Sequence, residues 1–292
     1  MSKIQVKKAV LPVAGLGTRF LTASKVVPKE LFPIVDKPIL EIIIEELIDA
    51  GIEKLLLIIR RGKEIISQHF DINFELEQNL RNAKKIDFLK KIESTNIADK
   101  IVFQKQSEPL GFADAISLAN NFVCGEPFVL CTGDELVIND KKSCIKQLID
   151  IFEEKNSTIV GLSQTPLDEL CNYGVVDFEK WGNVVKIKNI VEKPKGNPPS
   201  NLALNGKYVV KSEIFNFINS CKLKSAGKEV LFTDCLFELA KQNKMYGYVV
   251  DGQRYDTGDK FGFIKANIEF GLKDKIVGEK LKRYLKGIKD EL

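Results

Sequence analysis

At 292 residues the chain is long enough to bury a large core, as one α/β domain or as a core with appendages. Its 44 Lys and Arg against 40 Asp and Glu leave a net charge of +4 spread along the whole length, which argues against a nucleic-acid partner. No apolar run is long enough to span a membrane, and six cysteines (Cys124, Cys131, Cys144, Cys171, Cys221 and Cys235) with no C-x-x-C pair and no secretory leader predict reduced thiols in a cytoplasmic protein.

The first element is an apolar run that reads as a buried strand over 8–13. It delivers the chain into Ala14-Gly15-Leu16-Gly17-Thr18-Arg19-Phe20, then Lys25 and Pro28-Lys29-Glu30. Glycines leaving a strand let backbone N–H groups approach phosphate oxygens without interference from a Cβ. Arg19 can grip a phosphate with a planar fork, and Lys25 and Lys29 act as point charges. A dinucleotide fingerprint would need glycine where Phe20 stands, and a P-loop would need Gly-Lys-Ser/Thr; neither is present. A tight turn alone would also use two glycines, so the basic cluster is what points to a nucleoside triphosphate.

Further along, strands over 54–59, 101–105 and 127–132 alternate with helical patterns over 39–50, 62–70, 74–92 and 111–122. That alternation predicts a mostly parallel sheet with helices on both faces. Gln106 and Pro109-Leu110-Gly111 follow the third strand, where an amide and an exposed backbone could meet a base edge. The fourth strand runs into Gly133-Asp134-Glu135, placing a carboxylate at the sheet edge where open α/β folds bind ligands. Asp134 suits Mg²⁺ beside a triphosphate, and equally a solvated turn.

Next come a helix over 143–155, a strand over 158–163, antiparallel-looking pieces over 174–178 and 183–190, a Lys/Pro/Gly loop and a strand over 202–210. Glu192-Lys193-Pro194 sets an acid and a base at a strand end, as two substrate contacts or as a solvated pair. Asp256 follows a strand over 246–250 and precedes a helix, so it could complete a metal site or cap that helix. The only histidine, His69, reads as a helix-surface or core residue. From about residue 260 the chain is helical and basic, with Ile264, Ile268, Ile276, Leu281 and Leu285 as a broken stripe meeting the core or a second subunit. Lys289-Asp290-Glu291-Leu292 matches a retrieval signal of the secretory route, which is coincidental in a chain without an entry signal.

Taken together, these segments resemble the bacterial UTP–glucose-1-phosphate uridylyltransferases, sugar nucleotidyltransferases of a Rossmann-like, GT-A-type α/β fold. The resemblance runs through nearly the whole chain. Its motifs are Ala14 to Phe20, Pro28-Lys-Glu-Leu-Phe-Pro-Ile34, Asp36-Lys-Pro38, His69-Phe-Asp71, Glu75-Leu-Glu77, Gln106, Pro109-Leu-Gly111, Tyr173-Gly-Val-Val176, Val191-Glu-Lys-Pro194 and Arg254-Tyr-Asp256. It implies an α/β domain over 1–258, with a small antiparallel sugar-binding part, and a helical tail over 259–292. It also implies UTP and glucose 1-phosphate as substrates, Mg²⁺ as cofactor, and a homodimer or homotetramer. By the same resemblance, Arg19, Lys29 and Lys193 act on the reacting phosphates. Ala14, Gly15, Gly17, Thr18, Gln106 and Gly111 hold the nucleotide. Gly174, Glu192 and Lys193 hold the sugar phosphate, and Asp134 with Asp256 holds the metal.

The chain departs from the family pattern at several places. Gly133-Asp134-Glu135 stands for Pro-Asp-Asp, Ala113-Asp114 for Gly-His, Thr22-Ala-Ser-Lys25 for Pro-Ala-Thr-Lys, and Leu231 for Gln. The rival readings are a related enzyme preferring dTTP or another sugar phosphate, and a non-catalytic UDP-glucose-binding homologue. Retention of Arg19, Lys29, Asp134 and Lys193 argues against the latter.

Overall fold

A computed structural model describes residues 5–225 and 228–289. Its strands are β1 (Lys8–Pro12), β2 (Pro33–Ile34), β3 (Lys37–Pro38), β4 (Lys54–Ile59), β5 (Ile101–Lys105), β6 (Phe128–Cys131) and β7 (Glu135–Ile138). They continue with β8 (Thr158–Gln164), β9 (Gly174–Phe178), β10 (Val184–Glu192), β11 (Leu202–Val210), β12 (Met245–Val249) and β13 (Gln253–Asp256). The helices are α1 (Ile39–Asp49), α2 (Ile65–His69), α3 (Phe74–Asn82), α4 (Ile86–Glu93), α5 (Phe112–Ser117) and α6 (Asn120–Val123). After them come α7 (Cys144–Lys155), α8 (Ile214–Lys224), α9 (Phe232–Lys241), α10 (Lys260–Lys273) and α11 (Gly278–Lys289). None of these helices is long and apolar enough to cross a membrane.

A nine-stranded mixed sheet runs in the order β5-β4-β1-β6-β11-β8-β12-β10-β9, with only β10 and β11 directed against the rest. Strand alternation distributes the core to both faces. On β1, Ala9 and Leu11 join one cluster with α1 and α7, while Val10 faces α5, α8 and α9. On β6, Val129 and Cys131 take the first side, Phe128 and Leu130 the second. Helix α1 forms because Leu40, Ile43, Ile44 and Leu47 recur on one face and are buried there, and it stops where Gly51 takes a φ of 96°.

Several elements differ from the sequence reading. The helix expected over 74–92 is two helices, broken at Lys84, whose φ is 56°. The one expected over 111–122 is likewise divided into α5 and α6. Glu135 opens a short strand rather than lying in a turn, because β7 pairs antiparallel with β13. Helices α8 and α9, for which the sequence reading had no element, cover one face of the sheet. Helix α10 packs on β13 and β2. Phe263 stands edge-on to Phe20 and Phe32, with centroids 5.6 and 6.0 Å away, and so ties the N-terminal loop to α10. Of the predicted stripe, Ile264 and Ile276 remain exposed. The last three residues of the retrieval-like tetrapeptide lie outside the described residues.

Candidate active site

The carboxyl ends of β1, β5 and β6 open on two adjoining hollows. The first, of about 390 Å³, is lined by Ala14, Gly15, Gly17, Thr18, Lys29, Gln106, Gly111 and Asp134. Its floor is the loop after β1. Val13 N–H still donates to Ile58 O at 2.9 Å, and the chain then turns at Gly17 with a left-handed φ of 68°. Ser24 Oγ donates to Gly17 O at 2.7 Å and closes the turn. No atom beyond its chain neighbours lies within 4 Å of where a Cβ on Gly15 would stand, so protein packing does not require glycine there, and the position borders the open hollow.

Beneath this loop lies a pair that no local pattern announced. Lys63 Nζ donates to Glu30 Oε1 and Oε2 at 2.8 and 2.7 Å and to Val13 O at 2.6 Å, with both side chains almost wholly buried. Burial pushes the Glu30 carboxyl up against the pull of Lys63, and pushes the Lys63 ammonium down against the pull of Glu30. The opposite wall comes from Gln106 just past β5 and from Gly111, which has a φ of 96°. A Cβ on Gly111 would meet only the side chain of the exposed Glu229, which can swing away, so it is the left-handed backbone that calls for glycine here. Gln106 Nε2 donates to Asp114 Oδ2, 2.8 Å away, and Asp114 Oδ1 accepts from Lys222 Nζ at 2.6 Å.

A second hollow, of about 260 Å³, is lined by Arg19, Tyr173, Gly174, Glu192, Lys193, Glu229, Asp134 and Asp256. The antiparallel pairing of β9 with β10 sets Glu192 opposite Gly174. Lys193 then leaves the strand with a left-handed φ of 46°, its N–H donating to Tyr173 O at 3.0 Å. Its ammonium lies 3.8 Å from Glu192 Oε1, so both residues serve one hollow instead of pointing apart. Arg19 is exposed and makes no ion pair among the described residues, which leaves its guanidinium available. Lys25 is exposed and lines neither hollow.

Asp134 lines both hollows. Lys29 Nζ donates to its Oδ2. Burial works against the Lys29 charge, but Asp134 and then Glu30 hold its ammonium above the ordinary lysine value. Thr257 fixes the Asp134 backbone, its N–H and Oγ donating to Asp134 O at 2.9 and 2.7 Å. Asp256 accepts from Tyr173 OH at 3.1 Å and from Gly258 N–H at 2.9 Å. It therefore does not cap α10; Asp259 does, accepting from Phe261 and Gly262 N–H at 2.9 and 3.1 Å. Burial and the Asp134 charge raise the Asp256 carboxyl above its ordinary value. Glu135, buried beside them, is pushed up to about 7 against the bidentate fork of Arg254 at 2.9 and 2.5 Å. Arg254 in turn lies over the Tyr173 ring, 3.9 Å from its centroid.

A Cβ on Gly258 would stand 2.5 Å from Asp134 Oδ2 and 3.0 Å from Asp256 Oδ1. The two carboxylates therefore face one small space, while no group of three or more His, Cys, Asp and Glu forms a metal cage among the described residues. That donor set fits magnesium, which takes one or two carboxylates and completes its shell with phosphate oxygens and water. His69 sits apart on α2, with Nε2 2.8 Å from Glu41 Oε2.

A family model described as nucleotidyl transferase matches residues 8–271. The UTP–glucose-1-phosphate uridylyltransferase of Staphylococcus epidermidis is 41% identical over 285 residues, 97% of this chain and 98% of its own length. That of Bacillus subtilis is also 41% identical, over 287 residues, 97% of each chain. The structure of a UTP-bound UGPase from Acinetobacter baumannii superposes with a TM-score of 0.89 at 33% identity, covering 96% of this chain and 99% of that one. A UDP-glucose pyrophosphorylase complexed with UDP-glucose gives a TM-score of 0.83 at 31% identity, covering 92% and 100%. With relatives matched over almost their full length, and with one hollow beside a glycine-rich loop and another beside Glu192 and Lys193, the chain belongs to the UTP–glucose-1-phosphate uridylyltransferases of the nucleotidyl transferase family.

Proposed function

We propose that the two hollows meeting at Asp134 are the nucleotide and sugar-phosphate halves of one active site. The enzyme transfers the uridylyl group of UTP to glucose 1-phosphate, giving UDP-glucose and pyrophosphate. The observation that carries the site assignment is the shared lining. Gly15, Gly17, Thr18, Gln106 and Gly111 border the first hollow, and Gly174, Glu192 and Lys193 border the second, with Asp134 common to both.

A phosphate oxygen of glucose 1-phosphate forms a bond to the α-phosphorus of UTP while the bond from that phosphorus to the β-phosphate oxygen breaks, and pyrophosphate departs. The attacking oxygen is already anionic, so no side chain has to remove a proton. The protein's task is to bring two anions into line and neutralise them. Lys29, held charged by Asp134, and the exposed Arg19 supply cations for the transferring phosphates, and Lys193 supplies one for the sugar phosphate. Backbone N–H groups of the loop from Ala14 to Thr18 cradle the triphosphate. Asp134 and Asp256 would hold Mg²⁺, which when bound adds positive charge to the polyphosphate and the leaving pyrophosphate. The transfer is direct, with no nucleotidylated enzyme.

The same reading divides the chain into a catalytic part over 1–258 and a tail over 259–292. It assigns a homodimer or homotetramer, favoured by the exposed apolar side chains of Ile264 and Ile276, and a cytoplasmic setting, favoured by six unpaired thiols. The test is pyrophosphate release from glucose 1-phosphate and Mg²⁺ with UTP or dTTP, beside Asp134→Ala. UTP-dependent release that the substitution abolishes supports the assignment. Release undiminished in Asp134→Ala, or a trapped uridylyl-enzyme, overturns it.

A further inference from the structure

We infer that Asp114, backed by Lys222, is a positioning residue for base selection, which turns the Gln106 amide so that only its carbonyl oxygen is left to face the base. This rests on the reading of the first hollow as the nucleotide site. Gln106 is only 8% exposed, so the orientation of its amide is set by its protein partners. Nε2 donates to Asp114 Oδ2 at 2.8 Å and to Gly111 O at 3.3 Å. Both partners are pure acceptors when Asp114 is ionised, so the NH₂ end must lie toward them and the carbonyl end away.

The ionised state of Asp114 is itself secured. Lys222 Nζ donates to Asp114 Oδ1 at 2.6 Å and to Ser117 Oγ at 2.8 Å, while Ser117 Oγ donates to the backbone oxygen of Asp114 at 2.6 Å. Burial opposes the charge, but Lys222 and Gln106 together hold the Asp114 carboxyl below its ordinary value. Every donor in the chain Lys222–Asp114–Gln106 thus has a fixed direction. Gln106 Oε1 accepts no hydrogen bond from the described residues.

A lone acceptor at the base selects by chemistry. Uracil offers N3–H, a donor; cytosine offers an unprotonated N3, a second acceptor that would leave two oxygen and nitrogen lone pairs opposed. A buried polar group left unpaired by the wrong substrate is a strong source of discrimination. Thymine carries the same N3–H, so this device separates UTP from CTP and does nothing against dTTP.

Asp114→Asn tests the inference, because its amide can donate to Gln106 Oε1 and let the glutamine turn its NH₂ toward the base. The UTP/CTP ratio of kcat/KM should fall by about tenfold or more, in line with the loss of one correctly paired hydrogen bond. The change should appear in the nucleotide KM, with the KM for glucose 1-phosphate unchanged. Asp114→Ala and Lys222→Met, which free the amide without reversing it, should lower the ratio by less; they also supply the reading if Asp114→Asn does not fold. Gln106→Ala serves as the reference. If it abolishes UTP preference while all three other variants keep it, the positioning role is overturned. If Gln106→Ala itself keeps the preference, Gln106 does not face the base and both readings of this wall fail, while UTP-dependent turnover lost in Asp134→Ala would still stand for the active site as a whole.

Discussion

Glu30 and Lys63, 33 residues apart in sequence, form a bidentate ion pair directly below the glycine-rich loop, and Lys63 extends the contact to the carbonyl oxygen of Val13, 2.6 Å away. The loop is thereby tied to the segment after β4, and a charge is buried to do it. Removing one partner leaves the other charge without water or counter-ion. Glu30→Gln and Lys63→Met should each lower unfolding free energy by about 3–5 kcal/mol, and the double variant should recover part of that loss. Urea denaturation of the three variants measures it; additive losses would show that the pair is not coupled.

Local patterns carried much of this molecule into the sequence reading. The strands over 54–59, 101–105, 174–178 and 202–210 coincide with β4, β5, β9 and β11; after Lys54, β4 is a continuous apolar run, and the other three carry shorter apolar stretches, broken by polar residues such as Gln104, Asp177 and Lys207, that still read as strands. The break between α3 and α4 was not legible, since Lys84 adopts a left-handed φ with no glycine or proline to signal it. The β7–β13 pair was hidden for a different reason. Each strand has four residues and its partner lies more than a hundred positions away, so nothing local distinguishes Glu135-Leu136-Val137-Ile138 from the end of a turn. The site divides in the same manner. Residues carried on short motifs (Gly15, Gly17, Lys29, Asp134, Glu192, Lys193) stand out as candidates locally, whereas Glu30–Lys63, Glu135–Arg254 and Asp114–Lys222 are long-range pairs that only the fold assembles.

The cysteines also separate by environment. Cys131, Cys144 and Cys235 are buried, and burial pushes the Cys131 thiol up to about 12 and the Cys144 thiol well above its ordinary value. Cys124 and Cys171 are exposed. Alkylation of the native protein at neutral pH should therefore modify Cys124 and Cys171 first, with Cys131, Cys144 and Cys235 reacting only on unfolding. Peptide mass spectrometry after a timed iodoacetamide pulse reads the order directly. Early modification of Cys131 would contradict the packing of β6.

Arg19 and Lys29 should separate in their effects on stability and rate. Arg19 is exposed and makes no ion pair among the described residues, so Arg19→Lys should leave unfolding free energy within about 0.5 kcal/mol while slowing turnover through loss of the planar fork. Lys29 is tied to Asp134, and Lys29→Met should lower kcat by about 10²–10³-fold, the cost of removing one preorganised charge from a transferring phosphate. Steady-state kinetics beside thermal unfolding distinguishes the two. An Arg19→Lys enzyme with unchanged kcat and KM would remove Arg19 from the phosphate site.

Gly258 offers a test of the metal assignment that leaves every carboxylate in place. Its backbone φ lies outside the left-handed region, so alanine adds no conformational strain there, only a methyl group. That methyl would stand 2.5 Å from Asp134 Oδ2 and 3.0 Å from Asp256 Oδ1, far inside van der Waals contact, and the carboxylates would have to move apart. Magnesium tolerates little departure from octahedral geometry at about 2.1 Å, so a displaced pair binds it less well. Gly258→Ala should raise the Mg²⁺ concentration for half-maximal activity by about tenfold, with partial recovery of kcat at saturating metal. Mn²⁺, titrated by its effect on water proton relaxation, gives a readout independent of turnover and should weaken in parallel. Loss of activity with unaltered metal titration would instead place Gly258 in substrate contact, and would take Asp256 out of the metal site.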